Sequence, residues 1–401
     1  MSSALALLGD IATLQAGFGF PPNLQGRTNG QYPFAKVGDI SRGGRSESSI
    51  LSKADHYVDA ADVAALRAKI VPPGSILFAK IGEAIRQNHR VVAGCEMLID
   101  NNAMAAIPTA RVASRFLYHY LKTVDFYCLA PATTVPALRK SDLEKLRVPL
   151  PPLPEQRRIA AILDQADALR AKRREALAQL DSLTQSIFIE MFGDPVSNDR
   201  KWHKVCVSDF VAGFETGKSL VAANEDDQSS EFRVLKISAV TSLEFKPEQS
   251  KALPLDYEPP KSHFVRLGDL LFSRANTADL IGATALVDAT SPNLVLPDKL
   301  WRFVWYKAPR AAPRFVQHLF RQTKFRYEIA QRASGTSGSM KNISQEKVFS
   351  IRVGLPPLPL QQTFATRIQS IEALKTTHRA ALSEHDALFA SLQHRAFSGA
   401  L

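Results

Sequence analysis

At 401 residues, 45% hydrophobic and 22% charged, the chain has material for two or three domains and more than one apolar core. No run of 18 apolar residues exists, which argues against a membrane-spanning helix; the cysteines Cys95, Cys128 and Cys206 lack zinc-ligand spacing and suit a reducing cytoplasm. The formal charge of +11 permits nucleic acid as a partner without requiring it.

In chain order, MSSALALLGD has no basic segment before its apolar residues and breaks at Gly9-Asp10, so no signal peptide is expected. GFGF (Gly17–Phe20) faintly resembles an S-adenosylmethionine loop, but Pro21-Pro22 stand where its helix should start. AKVGDIS (Ala35–Ser41) carries Lys36. GSILFAK (Gly74–Lys80) reads as an apolar strand ending in Lys80, and the string after it holds Arg86, Gln87, Asn88, His89 and Arg90. A helix is expected over Phe116–Lys122, and Arg139 follows in TVPALRKSDL. LPPLPEQ (Leu150–Gln156) then stops any helix or central strand. From Glu155 to Met191, apolar residues step by threes and fours through Ile159, Ile162, Ala166, Leu169, Leu177, Leu180, Leu183 and Ile187. That is a helix or coiled-coil pattern roughly 55 Å long, closed by Gly193-Asp194-Pro195.

The second half repeats the order. GFETGKS (Gly213–Ser219) has three residues between its glycines where a phosphate loop needs four, so Lys218 reads better as a loop cation. LKISAVT (Leu235–Thr241) carries Lys236; GDLLFSR (Gly268–Arg274) runs into SRANTAD, which offers Arg274, Asn276 and Thr277. A helix is expected over Arg314–Arg332, and SMKNISQEKV (Ser339–Val348) carries Lys341. LPPLPLQ (Leu355–Gln361) precedes a second long helix from Leu360 to Phe397, with Phe364, Ile368, Ile371, Leu374, Leu382, Leu388 and Leu392 on its stripe. His378 and His385 on that seam read as packing features.

The two heptapeptides lie 205 residues apart, and the same offset matches Leu138 to Ile343, Leu169 to Leu374, Leu183 to Leu388 and Phe192 to Phe397. Upstream it drifts to 200 for Lys36 and Lys236 and to 194 for Lys80 and Arg274, as loop insertions would cause. The chain is therefore a tandem duplication. Its domains are 1–150 and 194–355, its long helices 151–193 and 356–401. A helix this long needs cover for its apolar stripe, and the other copy supplies it, in an antiparallel pair. The ends of each domain must then lie close together. Net charge is +5 in residues 1–150, zero in 151–191, +5 in 192–359 and +1 in 360–401, so the surplus sits in the domains. Two basic modules on a rigid spacer suit a split site on duplex DNA.

Catalytic signatures are missing. YEPPK (Tyr257–Lys261) lacks the aromatic of an adenine-methylation motif, Pro297-Asp298 lacks a nuclease partner, and no HxxxH pair exists. No catalytic, cofactor or metal residue is assigned.

RVPLPPLPEQRRIAAIL (Arg147–Leu163), its echo RVGLPPLPLQQ (Arg352–Gln362), IFIEMFGDP (Ile187–Pro195), GDLLFSR and SMKNISQEKV together carry a family pattern. With them the chain resembles, over essentially its whole length, the specificity subunit of type I restriction–modification systems. Two departures stand: Leu360 where the first copy has Glu155, and TVPALRKSDL where an NIS-like string is expected. The resemblance implies an α+β fold: two mixed, mainly β target-recognition domains, each followed by a spacer helix, the helices forming an antiparallel coiled coil. It implies a non-catalytic subunit that reads a bipartite sequence in double-stranded DNA. It docks two N6-adenine methyltransferase subunits, takes an ATP-dependent restriction subunit as a further partner, and uses no cofactor. Lys80 with Arg86, Asn88 and Arg90, and Arg274 with Asn276 and Thr277, are placed as contact loops; Lys36, Lys236, Lys218, Arg139 and Lys341 as phosphate contacts. A nonspecific nucleic-acid-binding scaffold, or the detached specificity half of a combined restriction–modification enzyme, are the alternatives.

Overall fold

The computed structural model describes residues 4–46, 48–130, 135–218, 230–289, 292–335 and 340–401. Met1, Ser2, Ser3, Thr134, Ser219 and Ser339 of the strings quoted above lie outside them. The chain forms two compact units, Met1–Leu177 with Thr377–Leu401, and Ala178–Thr376. Each long helix thus contributes one half to each unit.

In the first unit, strands Ala12–Ala16, Ala103–Pro108, Ile76–Ala79, Arg90–Ala93 and Ile50–Leu51 form one sheet in that spatial order. A smaller sheet places Tyr32–Ala35 between His56–Val58 and Leu98–Ile99. The second unit repeats both. Gly213–Thr216, Leu300–Val304, Leu270–Ser273 and Thr284–Leu286 make the larger sheet, and Arg233–Leu235 lies between Ser250–Ala252 and Leu294–Val295. In each large sheet the central strand, Ile76–Ala79 or Leu270–Ser273, is buried along its length, which is why it reads as a continuous apolar run.

Each domain closes on itself. Leu5–Leu7 pairs antiparallel with Arg147–Pro149, and His203–Cys206 with Arg352–Leu355. The chain then meets the proline joint. Pro151-Pro152 and Pro356-Pro357 cannot extend the ladder, and helices begin at Leu153 and Leu358. The terminal glutamine of each heptapeptide is buried and clamps the joint. Gln156 Oε1 accepts from the Ala113 amide (2.8 Å) and its Nε2 donates to the Pro151 carbonyl (2.8 Å). Gln361 does the same with the Ala312 amide (2.9 Å) and the Pro356 carbonyl (2.7 Å). Ala113 and Ala312 precede helices Ser114–Thr123 and Pro313–Arg321, so the glutamine ties the joint to the domain's own helix.

The long helices are Leu153–Phe192 and Leu358–Ser398, and each ends before a left-handed glycine, Gly193 or Gly399. They run antiparallel within each unit: Arg170 meets Asp386 and Arg158 meets the Leu401 carbonyl in the first, while Phe188 meets Phe364 and Arg367 meets Met191 in the second. Each domain core takes in both helices. Ile159, Leu163, Phe389 and Ala396 join Phe116 and Leu121 in one unit; Phe188, Phe192, Phe364 and Ile368 join Phe315 and Leu319 in the other.

Two expectations change. The helix expected over Arg314–Arg332 is two helices, Pro313–Arg321 and Thr323–Arg332, because Gln322 is extended (ψ 135°) and caps the first helix end by donating from Nε2 to the His318 carbonyl. Leu169, Leu183, Leu374 and Leu388, placed on the apolar stripe, are 44–53% exposed. Each helix is covered on two sides, by its partner helix and by a domain, and these leucines lie on the side left over.

Candidate nucleic-acid interface

The two repeat-related cations at the ends of the central strands occupy the same backbone frame. The Lys80 amide donates to the Asn102 carbonyl (2.7 Å) and its carbonyl accepts from the Leu138 amide (2.9 Å). The Arg274 amide donates to the Lys299 carbonyl (3.1 Å) and its carbonyl accepts from the Ile343 amide (3.0 Å). Leu138 and Ile343 are the pair matched at offset 205, so the frame repeats with the sequence.

A second pair of segments joins each rim. Gly17 bonds the Ala103 carbonyl and Phe18 bridges to Asp100; Gly217 bonds the Pro297 carbonyl and Lys218 bridges to Pro297. A Cβ on Gly17 would fall on the Asp100 carbonyl, and one on Gly217 on the Leu296 carbonyl. The glycines of GFGF and GFETGKS therefore serve close backbone approach.

In the second unit, Ala275–Asn276 pairs with Lys341–Asn342, setting Asn276 opposite Lys341. Lys218, Arg274, Asn276, Thr277 and Lys341 thus come to one rim, with Lys218 and Thr277 exposed. Arg274 is partly spent: its Nε donates to the Asp298 carbonyl (2.8 Å). Lys236 follows the neighbouring strand Arg233–Leu235, and its amide donates to the Gln249 carbonyl.

The first unit gathers fewer of its expected residues. Arg139 is exposed and adjoins the Leu138–Lys80 bond. Lys36 donates to Gln25 Oε1 (2.8 Å) with its Nζ 5.3 Å from the Phe20 ring centroid, and Ala35 bonds the Asp100 amide, which links it to the same rim. Arg86 is exposed but engaged, stacked 3.9 Å from the Tyr127 ring centroid and paired with Glu83. Arg90 is corrected: it is 3% exposed, lies 3.6 Å from the Phe126 ring centroid, and burial pushes its pKa down to about 9. Asn88, at φ 53°, accepts from Arg90 Nη2 (2.7 Å) and the Phe126 amide, and donates to the Val124 carbonyl (3.2 Å). Asn88 and Arg90 fasten the turn after Ser114–Thr123 to the sheet; the guanidinium of Arg90 cannot face outward from there.

Residues 6–179 match the family model described as the type I restriction modification DNA specificity domain. The EcoEI specificity subunit of Escherichia coli is 31% identical over 183 residues, 44% of this chain and 31% of that one. The EcoKI specificity subunit of E. coli K12 is 25% identical over 317 residues, 73% of this chain and 67% of that one. Over these segments the chain is similar to type I specificity subunits. The alignments span about a third of the first relative and two thirds of the second. Among solved structures, the type I S subunit from M. genitalium superposes with a TM-score of 0.59 at 15% identity, covering 98% of this chain and 96% of that one. A structure from a type I complex-assembly study gives 0.52 at 16%.

One repeat of this chain is not visible at the offsets traced in the sequence. RFLYHYLK (Arg115–Lys122) and RFVQHLFR (Arg314–Arg321) correspond at offset 199, hidden between offsets of 194 and 205. Their histidines, His119 and His318, are buried against the long helices. His119 Nε2 lies 2.6 Å from Asp164 Oδ1 on the first helix, and Arg115 Nε binds the same carboxylate (3.0 Å). Burial lowers the His119 pKa more than Asp164 raises it. Burial also tends to raise Asp164, but His119 and Arg115 hold it below the ordinary carboxylate range. A neutral imidazole donating to an ionised carboxylate follows. His318 packs on Phe364 (5.3 Å between centroids), and its pKa is pushed well down by burial, with Arg321, Lys375 and Arg314 acting in the same direction. The unfolded chain therefore binds a proton at His318 near pH 6.5 that the folded chain refuses. Stability is expected to fall as pH drops from 7 toward 5, by up to about 1.4 kcal/mol per pH unit for this group. Urea midpoints of wild type and His318→Gln across that range check it: the variant's profile should be flatter, and parallel profiles would refute the assignment.

Among the described residues, no group of three or more His, Cys, Asp or Glu could hold a metal ion, and no helix is long and apolar enough to cross a membrane.

Proposed function

We propose that the chain is the non-catalytic specificity subunit of a type I restriction–modification complex, acting in the cytoplasm. Its domains, residues 1–150 and 194–355, each read one half of a bipartite duplex target. The helices, 151–193 and 356–401, set the unread gap and dock two N6-adenine methyltransferase subunits, with an ATP-dependent restriction subunit as a further partner. The observation that carries this reading is the duplicated rim, where Lys80 and Arg274 stand in the same hydrogen-bonded frame. A duplicated rim suits a target with two halves. The exposed leucines support two like docking patches. Leu169 and Leu388 belong to one unit and Leu183 and Leu374 to the other, and Leu169 repeats as Leu374, Leu183 as Leu388.

Mapping adenine methylation in cells that co-express the chain with its methyltransferase tests the reading. The expected result is one motif of two short halves around a fixed gap. Binding without sequence preference would favour a nonspecific scaffold. Within the second rim, Lys218→Ala with Lys341→Ala removes two phosphate contacts. Binding should weaken about equally for cognate and unrelated duplexes, and the slope of log affinity against log salt should shrink by about 2. Salt titration by fluorescence anisotropy measures it; an unchanged slope removes both lysines from the interface.

A further inference from the structure

The helix pair carries two ion clusters that repeat at offset 205. In the first unit, Arg170 Nε bonds Asp386 Oδ1 (2.6 Å), Arg170 Nη1 bonds Asp167 (2.7 Å), and Arg174 reaches Asp386 (3.1 Å). In the second, Lys375 Nζ meets Asp181 (2.6 Å) and Glu372 (2.9 Å). Asp167 corresponds to Glu372, Arg170 to Lys375 and Asp386 to Asp181. Each cluster is a cation braced by a carboxylate one turn earlier on its own helix and bonded to an aspartate on the other. Both cations are withdrawn from water, with side chains 17% and 5% exposed.

Apart from the aromatic residues that each helix sends into a domain core, apolar heptad packing between the helices themselves tolerates a slip of seven residues, because like meets like again. These clusters do not. A slip in one direction sets Arg170 opposite Arg379 and Lys375 opposite Arg174, and turns Asp386 toward Leu163 and Asp181 toward Ile368. The other sets Arg170 opposite Gln393 and Lys375 opposite Phe188, with the two aspartates toward Leu177 and Leu382. Either leaves two buried cations without their cross-helix carboxylates, a strongly unfavourable arrangement.

We propose that Asp386 with Arg170, and Asp181 with Lys375, are positioning residues that fix the register of the antiparallel helices and so determine the length of the unread gap. The consequence for the gap rests on the functional reading above; the register itself does not.

The test uses the full chain assembled with its methyltransferase. Asp181→Asn with Asp386→Asn removes both cross-helix charges and keeps side-chain size. A second gap length is expected among methylated sites, with the sequences of both halves unchanged. Asp181→Glu with Asp386→Glu should restore a single gap. A neutralised complex that methylates only the wild-type motif overturns the proposal. If even the wild type yields no bipartite motif, the functional reading fails, and the register is read directly. Arg173 Nη1 lies 3.3 Å from His378 Nδ1 across the helices, so Arg173→Cys with His378→Cys should be joined by a short bifunctional maleimide, which spans the length of the two replaced side chains where a direct disulfide would not. Trapping that persists undiminished after neutralisation overturns the register claim on its own. Diminished trapping, restored by the glutamate pair, supports it.

Discussion

Deleting residues 386–401 is expected to unfold the N-terminal domain, although more than two hundred residues separate the two in sequence. The end of the second helix is part of the first core. Phe389 and Ala396 are buried there, and Leu392, Phe397 and Leu401 pack against it. Phe397 stands edge-on to both Phe116 and Tyr120, each at 5.4 Å between ring centroids. Phe389 lies under the Arg170 guanidinium at 4.3 Å. Loss of two such aromatics costs about 6–10 kcal/mol if each behaves like a buried Phe→Ala change, against a total stability of about 5–15 kcal/mol for a domain. The second core draws instead on Phe188, Phe192, Phe364 and Ile368, which the deletion spares. Amide hydrogen exchange separates the two. Ile76–Ala79 and Ala103–Pro108 should lose protection, while Leu270–Ser273 and Leu300–Val304 keep theirs. Equal protection in all four strands would show that the first core stands without the helix end.

The duplication, the proline joints, the long helices and the meeting of each domain's ends were legible because each is written as a pattern. Three prolines in five residues or a long stripe of apolar threes and fours admits few local structures. Side-chain direction after an apolar run is a different matter. GEAIRQNHR looks like a solvated basic loop, yet Arg90 opens the next strand and its guanidinium turns under Phe126. No residue type in the string announces that turn; it depends on an aromatic 36 positions away. The leucines at 169, 183, 374 and 388 failed for the opposite reason. Their spacing suits a seam, but a helix touched on two sides by different partners does not bury one continuous stripe. The buried histidines were hidden by drift of the repeat offset rather than by any weakness of their motif, since RF, H and a basic residue recur at the same spacing. The rim lay between these cases. Repeat equivalence of Lys80 and Arg274 was visible in the sequence, but Asn102 and Lys299, whose carbonyls complete the frame, were not, because neither side chain takes part.

Gln361→Leu should cost about 2–6 kcal/mol, among the largest single-residue effects in the second unit. The side chain is fully buried, and its two hydrogen bonds satisfy the Ala312 amide and the Pro356 carbonyl. Leucine has nearly the same volume, so the change opens no cavity and isolates the polar term. Each backbone group left unpaired in a buried site costs about 1–3 kcal/mol. Gln361→Glu sharpens the argument, because a carboxylate can accept from Ala312 but cannot donate to Pro356. Only the protonated acid does both. Burial and the facing carbonyl favour that neutral form and so raise the folded-state pKa above its unfolded value. The sign follows: the stabilising bond is fully present below the unfolded pKa of about 4.3 and is lost as pH rises through the folded one. Denaturant midpoints at pH 5 and pH 8 should therefore show the glutamate variant well above the leucine variant at the lower pH and closer to it at the higher. A leucine variant within about 0.5 kcal/mol of wild type would mean that water replaces the glutamine, and that the repeated heptapeptide owes its last residue to something other than this clamp.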